Sequence, residues 1–356
     1  MRKIISLSLV ALMAILTGCS QDESISNIVE GGDSSSKAII FTPMEFDNVF
    51  DNVTVTRGAQ STKANLTAYG VSAAIYPASS TYTSAGCGSY FYNENIDATT
   101  GNSGYYWPGS DYKVSFYAYA PYNSLTLRSK NDLGYPVYSY TVPSAIANQA
   151  DFITANVTDH SGAGITDPVP LTFSHQCADI RFNVYNQGSD AITIHSISVY
   201  GVKYSGTFCE GNSPKWTLND AVNSSSSNPF TLTLGTSVAA DATVDVTGTT
   251  NHFIMLPQTV ASGIQIFDVD ATVSGTRKHY YHTLTSSLSL LAEKSYNFKL
   301  TLGEGLMIVD TETDISDWAV ETKYLTVNSV GTNGTWSQPS VTDGQGVGIE
   351  NWVEEE

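Results

Sequence analysis

The chain has 356 residues, a formal net charge of -18 and only 14% charged residues. An acidic surface so poor in Lys and Arg is repelled by phosphate backbones, which argues against a nucleic-acid partner. The length suffices for two domains of ordinary size, and 21 Tyr with abundant Thr, Ser, Val and Gly make a strand-and-turn composition.

The start of the chain has the pattern of an export signal. Met1-Arg2-Lys3 is basic, and Ile4 to Leu16 is an apolar run too short to span a bilayer well. It closes on "LTGC", Leu16 to Cys19. Residues 1–19 are therefore expected to be a lipoprotein signal peptide, with Cys19 as the lipidated residue of the mature protein. An ordinary signal peptide with an incidental Cys is the plainer alternative. Residues 20–37, "SQDESISNIVEGGDSSSK", have the composition of a flexible tether. No later hydrophobic run is long enough for a membrane helix.

From Lys37 onward, short alternating stretches are separated by turn clusters. "KAIIFTPM" opens the series. In "NVTVTRGAQS", Val53 to Thr56 alternate, then Arg57 and Gly58 follow, with Lys63 the one basic residue close behind. The arginine is either the end of a strand at a glycine turn or a place where the chain is cut. "LTAYGVSAAIYP" and "GSYFYNENI" come next. In "YKVSFYAYAP", Val114, Phe116, Ala118 and Ala120 share one face, while Lys113, Ser115, Tyr117 and Tyr119 share the other. "PVYSYTVPS" and "DFITANVT" follow.

The loose stretch "DHSGAGITDPVP", Asp159 to Pro170, marks a boundary. The expected division is an N-terminal unit at 38–170, a C-terminal unit at 171–319 and an extension at 320–356. "ADIRFNV" alternates cleanly, whereas "AITIHSISVYGV" leaves its inward face ambiguous. "SSLSLLAEKSYNFKL" comes closest to a helix, but its second half alternates. Short strands at this spacing predict an all-β chain of antiparallel sandwiches.

Few residues carry chemistry. No GxSxG-like elbow supports a Ser/His/Asp triad. His279 and His282, in "HYYH", lie three apart, so on a strand they face opposite sides and cannot share an ion. Both are expected at the surface. Asp268 and Asp270, in "DVDATVSG", lack the fifth-position ligand, central Gly and terminal Glu of a calcium loop, and read as the wet face of a strand. No metal, cofactor or catalytic activity is expected. With Cys19 lipidated, Cys87, Cys177 and Cys209 remain, either as one bridge plus one thiol or as three buried thiols. The aromatics of "YYWPGSDYKVSFYAYAPYN" form either a sugar-binding platform or buried packing.

Several segments together resemble one family. They are the lipobox leader, the early strand ending in Thr56-Arg57, "YGVSAAIY", "YYWPGSDYKVSFYAYAP", "LTFSHQCADIRFNV" and "EKSYNFKLTLGEGLMIVDTETDISDW". In that order they resemble the fimbrillin (Mfa-like) family, the type V pilus proteins of Bacteroidales. The resemblance implies two transthyretin-like β-sandwich domains and export as a lipoprotein precursor to the cell outer membrane. It implies cleavage after an arginine, at Arg57 and Gly58 here. It also implies assembly with other pilin subunits by donor-strand exchange, the extension at 320–356 being a possible donor, and a possible host or bacterial surface receptor. The alternative is a surface lipoprotein that binds glycans without polymerising.

Cys19→Ser is expected to abolish fatty-acid labelling and leave unprocessed precursor. Labelling that persists in the variant overturns the lipobox.

Overall fold

Apolar–polar alternation over short stretches, punctuated by Gly, Pro, Asn and Asp, leaves the backbone little choice but strands and turns. A computed structural model describes residues 37–43, 61, 66–82, 86–130, 134–163, 168–248, 250–303, 307–317 and 320–329, with the backbone alone for 127–130, 307–317 and 320–329. Among the described residues there is no α-helix, and hence none long and apolar enough to cross a membrane.

In chain order the strands are β1 (Ala38–Pro43), β2 (Ala68–Pro77), β3 (Phe91–Asp97), β4 (Asn102–Tyr106), β5 (Tyr112–Ala120), β6 (Thr126–Lys130), β7 (Pro136–Thr141), β8 (Ile153–Ser161) and β9 (Val169–Leu171). There follow β10 (Ser174–His175), β11 (Ala178–Asn186), β12 (Ile192–Val199), β13 (Ser205–Cys209), β14 (Trp216–Leu218), β15 (Phe230–Val238), β16 (Thr243–Asp245), β17 (Phe253–Met255) and β18 (Gln258–Val260). The last are β19 (Gln265–Val273), β20 (Thr276–Thr283), β21 (Leu288–Leu290), β22 (Lys294–Leu302), β23 (Met307–Asp317) and β24 (Val320–Ser329). The helix-like stretch after Ser286 is thus two strands, β21 and β22, with Glu293 at φ 63° in the turn between them.

Two sheets form the first sandwich: β4-β1-β9, and β10-β8-β5-β2-β3. Between them lies one core containing Ile39, Phe41, Val71, Trp107, Val114, Phe116, Val169 and Phe173. The second face of β5, which carries Ser115, Tyr117 and Tyr119, is also buried. Tyr117 packs there with Ala74, Tyr76, Tyr82 and Cys87. The β2–β3 connection therefore roofs the sheet, and β5 is covered on both sides.

The second sandwich pairs β16-β11-β22-β23-β24, with β17 also on β11, against β15-β12-β19-β20. β11 and β22 run parallel in register over nine residues, from Ala178↔Lys294 to Asn186↔Leu302. Phe182, Phe267 and Phe298 meet in the centre, with ring centroids 4.8–5.8 Å apart. The ambiguous face of β12 has a cause. A bulge between Ile194 and Ser196 shifts the register, so Ile192 and Ile194 point inward before it and Ile197 and Val199 after it. The first ten residues of the extension, β24, pair antiparallel with β23 of the same chain. A further sheet, β14-β13-β7-β6, joins hairpins from either side of residue 170.

One buried ionic cluster holds β11, β17 and β22 together. The Asp179 carboxylate accepts the Ser295 hydroxyl at 2.7 Å, and Arg181 Nε lies 3.4 Å from it. His252 Nδ1 lies 3.2 Å from its other oxygen, and His252 Nε2 lies 2.9 Å from the Gly248 carbonyl. A carbonyl and a carboxylate both accept, so these two neighbours favour the doubly protonated ring. Burial opposes that charge, but the Asp179 carboxylate outweighs burial and raises the pKa of His252. For Asp179, burial raises the pKa, and the charges of His252 and Arg181 more than reverse it. The His252 contribution is therefore complete below its unfolded value of about 6.5 and is lost as pH rises through the raised folded value. The Asp179 contribution is lost in the opposite direction, as pH falls through its lowered value. Between about pH 6 and about pH 9, the parent protein is expected to lose more thermal stability than His252→Gln. Parallel curves for the two overturn this assignment.

Candidate functional site

β1 is the strand on which the first sandwich turns. It lies between β4, antiparallel, and β9, parallel. Its alternation is that of a half-buried strand: Ile39 and Phe41 face the core at 0% and 2% exposure, while Ala38 is exposed and Ile40 and Thr42 are intermediate. Phe41 meets Phe116 edge-on at 5.0 Å between centroids, and Trp107 meets the same ring at 5.9 Å. On the β4 side the register shifts between Ala38 and Ile40. Phe41 N–H donates to the Gly101 carbonyl at 2.8 Å, Trp107 N–H to the Lys37 carbonyl at 2.9 Å, and the Ser103 hydroxyl to the Ile39 carbonyl at 2.8 Å. On the β9 side the register sets Thr42 against Pro170 and Pro43 against Leu171. Phe41 N–H points to the β4 side, so the nitrogen of Pro43, two residues on, faces that side too, and its missing N–H costs the β9 ladder nothing.

Burying Ile39 and Phe41 contributes about 3–6 kcal/mol at 1.5–3 kcal/mol for each side chain. Against a total of about 5–15 kcal/mol for a domain, that is a large share for six residues. With β1 withdrawn, β4 and β9 have no common neighbour, and Phe116, Trp107, Val169 and Leu171 line an open slot. Gly101 fits this slot to a backbone. It has φ +63°, and a Cβ built on it falls 1.8 Å from the Phe41 carbonyl oxygen.

Ser61 is fixed by a residue far along the chain. Its N–H donates to Asp151 Oδ2 at 2.7 Å and its hydroxyl to the Asp151 carbonyl at 3.0 Å. His175 Nδ1 lies 2.8 Å from the same Oδ2. Composition and spacing gave no sign of this long-range contact, because its partners lie far apart in sequence.

The expected site residues Cys19, Arg57 and Gly58 lie outside the described residues. Two surface expectations need correction. His279 and His282 do face opposite sides, but His282 is 1% exposed, stacks on Phe267 and is pushed down to about 4 by burial. The face bearing Asp268 and Asp270 is polar but covered. Arg277 Nε donates to Asp270 at 2.9 Å, and His279 Nδ1 lies 3.1 Å from Asp268. Pairing with neighbouring side chains, not water, satisfies these carboxylates. Among the described residues no group of three His, Cys, Asp or Glu is placed to hold a metal ion. Cys87, Cys177 and Cys209 are all buried thiols, with no disulfide among them. Of the aromatic stretch, Trp107, Phe116, Tyr117 and Tyr119 are buried, Tyr105, Tyr112 and Tyr122 are half-buried, and Tyr106 is exposed at 53%.

A family model described as fimbrillin-like matches residues 53–318. The chain belongs to the fimbrillin-like family. A relative of this fimbrillin-like chain is the fimbrium subunit Fim1C of Phocaeicola vulgatus, 29% identical over 230 residues. That match covers 55% of this chain and 55% of Fim1C, so the chain spans about half the length of the curated relative it matches. Among solved structures, a candidate cell-adhesion protein from Bacteroides ovatus aligns over 84% of this chain and 100% of its own, at 14% identity and a TM-score of 0.49. A fimbrial assembly protein from Parabacteroides distasonis aligns over 82% of this chain and 98% of its own, at 12% identity and a TM-score of 0.40.

Two substitutions probe the slot. Phe41→Ala is expected to cost about 3–5 kcal/mol in urea unfolding. Gly101→Ala, which strains the backbone and pushes on β1, is expected to cost on the order of 2–4 kcal/mol. A neutral Gly101→Ala overturns the close approach of β1 and Gly101.

Proposed function

We propose that this fimbrillin-like chain is a structural subunit or adhesin of a surface fimbrium, assembled by exchange of β1 for a strand of a neighbouring subunit. The observation that carries the reading is the central place of β1 between β4 and β9. A removable strand at a sheet edge opens nothing, whereas a removable strand in the middle leaves a slot with donors and acceptors on both walls. An incoming extended segment supplies backbone bonds to both neighbours and side chains to the pockets of Ile39 and Phe41.

In this reading the precursor is exported, lipidated at Cys19 and held at the cell outer membrane. A protease cuts between Arg57 and Gly58, and the segment carrying β1 leaves. The units at 38–170 and 171–319 form the body of the subunit, and the extension at 320–356 is the donor. Pairing of β24 with β23 in the same chain keeps part of that extension occupied until a neighbour offers its slot. An uncovered slot is an aggregation hazard, so keeping β1 in place until assembly has a physical purpose. The role is structural, not catalytic.

Low-dose trypsin is expected to cut first at Arg57, giving a chain that begins at Gly58 and assembles into higher-order species. Arg57→Ala is expected to stay folded, uncut at that bond and unassembled. Normal assembly of Arg57→Ala rejects strand exchange triggered at this site.

A further inference from the structure

Away from the β1 slot, a second groove lies between the hairpin β13–β14 and the two-stranded ribbon β18–β21. Its volume is about 710 Å³, within the range of about 300–1,000 Å³ typical of ligand sites. Successive residues of a strand point to opposite faces, so a groove that follows one face meets only every second residue. This groove meets Gln258, Thr259 and Val260 in succession, which is the whole of β18. It therefore runs along the edge of that strand. Among the described strands β18 pairs with β21 alone, so its other edge is open. β14, which supplies Trp216 and Leu218 to the lining, likewise pairs with β13 alone.

The charge of the lining runs against that of the chain. The sequence carries 34 acidic residues against 16 basic ones, yet the lining holds Lys203 and Lys215 and, among the described residues, no Asp or Glu. Lys203 Nζ lies 3.0 Å from Asp220, and Lys215 Nζ lies 2.6 Å from Glu210. The Asp220 carboxylate is fully exposed, so that pair is wet and holds its lysine weakly. The rest of the lining is largely apolar. Trp216 is fixed there by its Nε1–H, which donates to the Gln176 carbonyl at 2.7 Å. Val222, in the lining, is 52% exposed, and Leu291, next to Ala292 of the lining, is 51% exposed. Apolar side chains left open to water around a groove mark a place where a partner docks. We propose that this groove binds an extended, acidic segment of a partner protein, laid as an added strand along the open edge of β18. Backbone bonds to β18 supply the affinity. The apolar side chains of the segment cover Val222 and the Trp216 wall, and its carboxylates meet Lys203 and Lys215. The chain's net charge of -18 repels such a segment as a whole, so the two lysines also decide where it lands. The proposal does not rest on strand exchange at β1.

The test uses the full chain and a fluorescent peptide of about eight residues that alternates Val and Glu, with binding read by anisotropy. The peptide is expected to bind, and less tightly as salt rises. The double variant Lys203→Gln/Lys215→Gln is expected to raise Kd about fivefold or more. Val222→Glu, which sets a negative charge at the rim, is expected to raise it as well. These side chains are all partly exposed, so the variants keep the fold, which an unchanged thermal melt checks. Methylating alternate backbone nitrogens of the peptide removes hydrogen-bond donors and leaves the side chains alone. One of the two alternate sets is expected to abolish binding. No binding of the Val/Glu peptide, equal binding of a Val/Lys peptide, or an unchanged Kd in the double variant overturns the proposal. Equal binding of both methylated peptides and their parent overturns the added strand. Lysine-dependent binding of laurate without binding of the peptide makes the groove a site for a small amphiphile and overturns the proposal too. Assembly plays no part in the readout, so these outcomes are separate from the fate of the β1 reading.

Discussion

The three-stranded sheet of the first sandwich exists only through its middle strand. β4 and β9 come from distant parts of the chain and share no ladder with each other. Six residues, Ala38 to Pro43, give both of them a partner and also close the core with Ile39 and Phe41. Everything on that side of the core then leans on one short segment: the edge-on contact of Phe41 with Phe116, the fit of Gly101 against the backbone, the seating of Trp107.

The all-β class was legible because alternation is a local signal. Each strand of "ADIRFNV" or "AIIFTP" announces its own buried face. Three features were not legible, for three different reasons. The aromatics of β5 left two readings open, because tyrosine suits either a wet or a dry face, and only the roof over the second face decides between them. Tyr76 shows how the dry choice is satisfied: its hydroxyl lies 2.7 Å from the Ser115 hydroxyl and donates to Asp159 at 2.9 Å. β12 defied a single reading because a bulge adds one residue and exchanges the faces midway, and period-2 reasoning carries no term for that. His282 was placed outside because a histidine among tyrosines at the end of a chain segment resembles surface; burial against Phe267 is a tertiary fact.

The polar clusters follow the same division. Strand alternation placed Asp268 and Asp270 on one face correctly and missed that Arg277 and His279, on the next strand, fold over them. Ser61 with Asp151, and Asp179 with His252 and Ser295, join residues whose meeting depends on the path of the whole chain. In each case a buried carboxylate collects donors from several elements. A charge taken out of water is tolerated only under that condition, so each cluster fixes the relative positions of the strands that supply it.

The sheet β14-β13-β7-β6 has a mechanical meaning. Its ladder joins β7 to β13 over five residue pairs, Thr141↔Ser205 to Val137↔Cys209, so two sandwiches that follow each other along the chain are also laced side by side. A linker alone would leave the two joined by one covalent connection. Here that connection runs beside a hydrogen-bonded seam, so pulling the two sandwiches apart has to break the ladder pairs as well as straighten the backbone.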